Sequence, residues 1–338
     1  MFNAKVTAAI VFVCALAGPA RAAESLKSMP PGPKPFPVTV GTYLIDFDKI
    51  DEQTLTHTIV GYLTLEWKDP RLAKGLAPDL DRDAVTLEQI WSPNIEFTNQ
   101  HTPRETANSQ VSIADDGTVK YEERFKAELA TDFDLVRFPF DQQMLLVQIE
   151  SFQYDASQVV LIERTMRELK SPDSFLPDWF IGDVSQQIDT DTNNPDRALF
   201  SRYTFDIPVA RKRGYYVWNV FMPLGFITFL AWAVFFINPE DVATRAGVSI
   251  TALLTAIAFS LVISGTRPRV SYLTFMDAIF LNAYFMIFIT AVAAVYGHFL
   301  IRASGSNQSA EKFSRLGQRA FPVLVLLSNA VLALNFLL

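Results

Sequence analysis

The chain has 338 residues carrying 36 acidic and 29 basic side chains, for a formal net charge of −7. Half of the residues are apolar and only 19% are charged, against about 25% in soluble domains. Between Gly214 and Ile301 only Glu240, Asp241, Arg245, Arg267, Arg269 and Asp277 carry charge, which excludes a single soluble domain, while the acidic balance without a basic stripe argues against a nucleic-acid partner.

Lys5, the apolar run Ala8 to Ala17 and Ala20-Arg21-Ala22 predict a signal peptide over residues 1–22. Export would place the domain that follows outside the cytoplasm. The only cysteine, Cys14, falls in that segment, so the mature domain is expected to rest on its own core without a disulfide. Residues 23–37, with Pro30, Pro31, Pro33, Pro35 and Pro37, read as an extended lead-in.

From residue 38 to 213 the dominant period is two. Val119, Tyr121, Phe125, Ala127 and Leu129 share one face, and Lys120, Glu122, Arg124, Lys126 and Glu128 the other. Asp116-Gly117 before them is a hairpin signal. Ile59, Gly61, Leu63 and Leu65 alternate with Val60, Tyr62, Thr64 and Glu66; Tyr203, Phe205, Ile207 and Val209 alternate with Thr204, Asp206 and Pro208. Many short strands without a long helical pattern predict an all-β, immunoglobulin-like sandwich, an open barrel being the second option.

Four runs free of Asp, Glu, Lys and Arg follow: Tyr215–Ile237, Ala246–Thr266, Ala278–Ile301 and Ala320–Leu338. Each approaches the roughly 20 residues that span a bilayer as an α-helix. An all-α transmembrane domain over 214–338 is expected, with helices at about 215–237, 245–265, 272–301 and 319–338. The third connection, with Arg302, Lys312, Arg315 and Arg319, suits the cytoplasm. The short second connection, with Arg267 and Arg269, would face outward. In the second run Gly247, Thr251, Leu254, Ala258, Leu261 and Gly265 fall along one helical stripe. Small and hydroxyl residues in a membrane helix serve either helix packing or a water-lined path with an aliphatic ring that gates by dewetting. One helix encloses no pore, so the second reading demands an oligomer.

At this point an ordered set of motifs resembles the pentameric ligand-gated ion channels, the Cys-loop receptor superfamily, across nearly the whole mature chain. Trp67-Lys68-Asp69-Pro70-Arg71-Leu72 resembles its W-x-D-x-R-L, Trp91-Ser92-Pro93-Asn94 its W-x-P-D/N, and Asp134 to Asp141 its D-x-x-x-F-P-x-D signature. Thr131 and Leu145 stand where animal receptors have the bridging cysteines, as in the bacterial branch. Glu150-Ser151-Phe152-Gln153-Tyr154, Arg211 to Tyr216, Pro223 and Pro268 to Tyr272 continue the match in order.

The resemblance implies a homopentamer in a bacterial inner membrane, its N-terminal domain periplasmic, with agonist bound between subunits and inorganic ions passing a pore lined by the second helix. Carried over by position, Phe97, Phe152 and Phe200 would form the principal face and Tyr62 the complementary one. Glu150 would help to hold an agonist amine, the favoured ligand, with protons as the alternative trigger. Arg124 is either a solvated surface arginine or a partner for an agonist carboxylate. Gly247, Thr251, Leu254, Ala258 and Leu261 would line the pore. Glu52, Asp141, Arg211 and Pro268 would couple binding to gating. Ala243-Thr244-Arg245-Ala246-Gly247 looks closer to animal anion-selective receptors, while Glu240 and Asp241 just upstream favour cations; the reading leans slightly to anions.

Two other classes compete. One is a membrane-anchored periplasmic sensor that does not conduct, against which the polar second helix speaks. The other is an enzyme, but His57, His101 and His298 lie far apart, with no metal-ligand spacing and no nucleophile–base motif. No enzyme activity, metal or cofactor is expected.

Overall fold

The computed structural model describes residues 26–78, 80–164, 176–191, 198–265 and 270–337. The signal-peptide segment, Cys14 and Pro268 lie outside the described residues. Among the described residues ten strands form the N-terminal part: β1 Phe36–Asp51, β2 Thr56–Lys68, β3 Ile95–Phe97, β4 Glu105–Ile113, β5 Thr118–Ala130, β6 Gln142–Ser151, β7 Val159–Glu163, β8 Trp179–Ile181, β9 Ser185–Asp191 and β10 Phe200–Arg211. They divide into one sheet ordered β4-β5-β2-β1-β7 and another ordered β3-β6-β10-β8, with β9 also paired to β10. This is the sandwich rather than the barrel.

The period-two residues decide which face is inside. Ile59, Leu63, Val119, Phe125, Leu129, Leu145, Val147, Tyr203, Phe205 and Ile207 are all buried and belong to one core between the sheets. Glu123 shares the inward phase of β5 and is buried as well; Tyr121 donates its hydroxyl to it at 2.6 Å and Arg104 Nε lies 2.9 Å away. The β4–β5 turn closes through Gly117, whose φ of +84° favours glycine. Thr131 and Leu145, where the animal receptors have cysteines, do different work here. Leu145 is core, and Thr131 Oγ1 lies 2.6 Å from Nδ1 of fully buried His57.

Four helices long and apolar enough to cross a membrane follow: α1 Gly214–Phe236, α2 Val242–Ser264, α3 Phe275–Ser304 and α4 Asn307–Leu337. In α1 a wide π-helical turn over Val217–Phe221 precedes Pro223, which has no N–H to close a regular bond. Asp241 caps α2 by accepting from Thr244 N–H at 3.0 Å. Thr274 and Asp277 cap α3 reciprocally, and Gly305, with φ of +65°, ends it.

One boundary departs from expectation. The charged stretch read as a connection is helical, and α4 starts at Asn307 rather than near residue 319. Only Gly305 and Ser306 separate α3 from α4. Pro322 inside α4 leaves the Gln318 carbonyl without its helical donor; the Trp232 indole N–H of α1 donates to it instead, at 3.1 Å.

Candidate functional site

The proposed ligand residues fall on the outward faces of the two different sheets. On the first sheet Tyr62 pairs with Tyr43 on β1 and Arg124 on β5, which makes an exposed row. On the second sheet Glu150 lies at the end of β6, Phe152 just beyond it is 67% exposed, and half-buried Phe200 opens β10. Tyr62 and Arg124 therefore share one face of the subunit; Glu150, Phe152 and Phe200 share another.

Phe97 does not join them. It is 1% exposed, packs its ring 5.0 Å from Phe125 and lies under the Arg104 guanidinium. A side chain enclosed in the core cannot meet a ligand between subunits, so its expected role is corrected. Glu96, its neighbour in the opposite phase of β3, sits directly across from Glu150 and only half-buried.

Glu150 is also more committed than its sequence position suggests. Arg202 Nε donates to Glu150 Oε1, and Arg202 Nη2 to Asp191 Oδ2. Burial pushes the Glu150 carboxyl above its usual range, against the pull of Arg202, and burial alone raises Glu96. This end of the second sheet thus holds three carboxylates and one guanidinium. Arg202 and Glu96 were not singled out from the sequence, although each lies in the outward phase of its strand.

Three of the residues expected to couple binding to gating, Glu52, Asp141 and Arg211, meet in one cluster. Arg211 makes a two-pronged contact with Asp141, Nε to Oδ1 at 2.7 Å and Nη2 to Oδ2 at 3.0 Å, and its Nη1 donates to Glu52. Trp179 lies 4.2 Å and Phe138 4.6 Å from the guanidinium carbon. Burial alone would weaken its charge, but Asp141 and Glu52 outweigh that and hold the proton more tightly than usual. Burial raises Glu52, Arg211 opposing it.

The signature loop beside this cluster grips the membrane part. Phe275 N–H donates to Val136 O at 2.8 Å, Met276 N–H to Phe138 O at 3.2 Å, and the Tyr272 hydroxyl accepts from Leu135 N–H at 3.0 Å. Phe140 stacks on Phe221 of α1 at 6.1 Å. The motif ending at Tyr272 gives no hint of this contact, and Phe275 escapes sequence reading because nothing beside an apolar run says which aromatics touch a distant loop.

Along α2, Arg245, Ser249, Ala252, Ala256 and Ile263 are buried against the subunit's own helices. Gly247, Thr251, Leu254, Ala258 and Leu261 are exposed, about half a helical turn away from that buried face. The polar stripe is therefore not the face that packs within the subunit.

Of the selectivity residues, Arg245 requires correction. It is 0% exposed; Nε donates to Val234 O and Nη2 to Ser314 Oγ, each at 3.0 Å. It serves the Val234 carbonyl near the C-terminal end of α1 and does not lie on the exposed face of α2. Asp241 caps α2, and the exposed Glu240 accepts from Asn307 Nδ2 of α4. Among the described residues no cluster of His, Cys, Asp and Glu suited to a metal occurs.

Residues 26–212 match the family described as neurotransmitter-gated ion-channel ligand binding domain, and residues 220–329 the neurotransmitter-gated ion-channel transmembrane region. Among relatives, a proton-gated ion channel of Gloeobacter violaceus is 30% identical over 315 residues, 91% of this chain and 86% of the relative. A gamma-aminobutyric acid receptor subunit beta-like of Drosophila melanogaster is 30% identical over 279 residues, 76% of this chain and 55% of the relative. The beta-4 subunit of that receptor in Gallus gallus is 26% identical over 296 residues, 83% of this chain and 59% of the relative. The chain therefore spans little more than half the length of the two animal relatives.

Proposed function

The chain belongs to the family of neurotransmitter-gated ion channels, and from that premise we propose that it assembles as a homopentamer opened by an agonist bound between neighbouring subunits. The observation that carries this reading is the exposed stripe of α2 opposite the face buried in its own bundle. Five such stripes facing one axis enclose a path, and Leu254 supplies its aliphatic ring. The split of the ligand residues between two outward faces supports a site that needs two copies. Phe152, Phe200 and Glu150 of one subunit would meet Tyr62 and Arg124 of the next around a small organic amine. Glu52, Asp141 and Arg211, with the Pro268 loop, would pass the change to α2. The membrane is proposed to be a bacterial inner membrane, with the sandwich on the periplasmic side.

Protons form the second reading, favoured by a specific observation. Glu52, Glu96 and Glu150 are all raised by burial, so they take up protons at milder acidity than exposed carboxylates, and one relative is a proton-gated channel. Current recorded across a bilayer containing the purified chain separates the readings. Current evoked by simple alkylamines at neutral pH supports the amine. Opening by acidification without response to any amine replaces it with protons, and a bilayer silent to both refutes conduction in favour of a sensor.

For permeation, we propose anions. No Asp or Glu occurs from Val242 to Met276, and the N-terminal end of each α2 helix presents its positive dipole end at the inner mouth. Arg245 adds charge from behind the wall rather than in the lumen.

A further inference from the structure

Along β6 the inward phase holds Gln143, Leu145, Val147 and Ile149, all of them buried. Gln143 is the polar member of this row, and a buried amide needs partners for its N–H groups and its oxygen. It finds them in the signature loop. Oε1 accepts the Asp134 N–H at 3.0 Å, while Nε2 donates to Asp134 O and to Asp141 Oδ2, each at 2.7 Å. One side chain thus ties the two limbs of the loop together, reaching nine residues back along the chain to Asp134.

Each limb carries a second connection. On one, Asp141 Oδ2 also accepts from Arg211 Nη2 and Oδ1 from Arg211 Nε; Arg211 ends β10, close to the start of α1. On the other, Asp134 Oδ1 accepts the Val136 N–H at 3.0 Å. Val136 and Phe138 in turn offer their carbonyls to the N–H groups of Phe275 and Met276, at 2.8 and 3.2 Å. The first N–H groups of a helix have no partner within it, so the loop completes the first turn of α3. The run of hydrogen bonds from Arg211 to α3 passes through the Gln143 amide.

We propose that Gln143 is a positioning residue for gating: its amide holds the signature loop closed, so that movement of Arg211 reaches the first turn of α3. The amide is neutral, so it joins the limbs without adding charge to the cluster of Glu52, Asp141 and Arg211. The gating role rests on the channel reading above, whereas the clasp consists of bonds within one subunit and is measured without any current.

The test is Gln143→Met in the purified full chain, a change that keeps the length of the side chain and removes all three bonds. Amide exchange in detergent is read residue by residue by mass spectrometry. Phe275 and Met276 should exchange about tenfold faster than in the wild type, while amides in β2 and β5 keep their protection. Unchanged rates at Phe275 and Met276 would overturn the clasp, and faster exchange throughout the sandwich would reduce Gln143 to a residue that only stabilises the fold. In a bilayer, opening by ethylamine at neutral pH or by acidification alone should need a severalfold stronger stimulus, with single-channel conductance unchanged. A wild-type dose response beside faster exchange would overturn the gating role. If neither trigger opens the wild type, the channel reading fails, and exchange still decides whether the amide holds the loop to α3. If Gln143→Met does not assemble, Gln143→Glu decides: it keeps an acceptor for the Asp134 N–H and gives up both donated bonds. It must still speed exchange at Phe275 and Met276 severalfold, and unchanged rates refute the proposal.

Discussion

At the scale of single residues, two of the ionisable groups buried in the sandwich, His57 and Arg211, pose opposite problems. His57 is fully buried, with its Nε2 unpartnered, and burial pushes its pKa down to about 3. The unfolded chain binds a proton there near pH 6.5, whereas the folded chain does not. Stability contributed by the neutral ring is present above pH 6.5 and is lost as pH falls from there toward 3. At pH 5 the loss is about 2 kcal/mol. Thermal unfolding of the detergent-solubilised protein should show this fall between pH 7.5 and 5, and His57→Asn should flatten it; an unchanged pH slope in the variant would rule His57 out. Arg211 poses the opposite case, a charge kept buried by two acids. Arg211→Gln or Asp141→Asn should each cost about 3 kcal/mol by stranding a charge, and the double variant should lose less than the sum of the two. Additive losses in urea unfolding would show that the pair is not coupled.

Elements were legible where one face is buried and the run is long. β2, β5 and β10 carry enough period-two alternation to fix which residues point inward, and Glu123 obeys that phase although it is charged. β3 has only three residues, too few for alternation to test the resemblance that carries Phe97, rather than Glu96, to the ligand face. Hydropathy starts the fourth helix too late because Glu311, Lys312, Arg315 and Arg319 precede its apolar run, yet charges on one side do not stop a helix that packs with the other. Arg245 misled for the same reason in reverse. A charge at the end of an apolar run reads as a mouth residue until Val234 O and Ser314 Oγ are brought to it by packing. Docking of α4 rests on a close approach, since a Cβ at Gly317 would fall 2.3 Å from the edge of the Phe235 ring. Gly317→Ala should lower the yield of assembled protein on size-exclusion chromatography, and Phe235→Leu should restore it; failure of that rescue would place the defect elsewhere. On α2, Leu254→Ser should wet the constriction and raise resting current; resting current equal to wild type in a normally assembled variant would move the gate to another level.

For the whole molecule, binding and permeation are the quantities to measure. If an amine opens the channel, Phe152→Ala should shift its dose response roughly tenfold, the equivalent of 1.4 kcal/mol of lost cation–π contact. A shift below twofold would remove Phe152 from the site. Reversal potentials in asymmetric sodium chloride should move toward the chloride equilibrium potential, and movement toward sodium's would refute anion passage. Neutralising Glu240 and Asp241 together should leave an anion preference intact, because Asp241 caps α2 and Glu240 is tied to Asn307.

The turn of Gly305 and Ser306 between α3 and α4 has a practical use. Two long helices meet there across a left-handed glycine, on the face assigned to the cytoplasm, and the chain at that point is exposed. Such tips accept inserted domains whose own ends lie close together, so a fluorescent protein spliced between the two residues should leave the pore assembled. A fluorophore that matures only inside the cell would then report the orientation of the protein directly, bright for the topology described here and dark for its inverse.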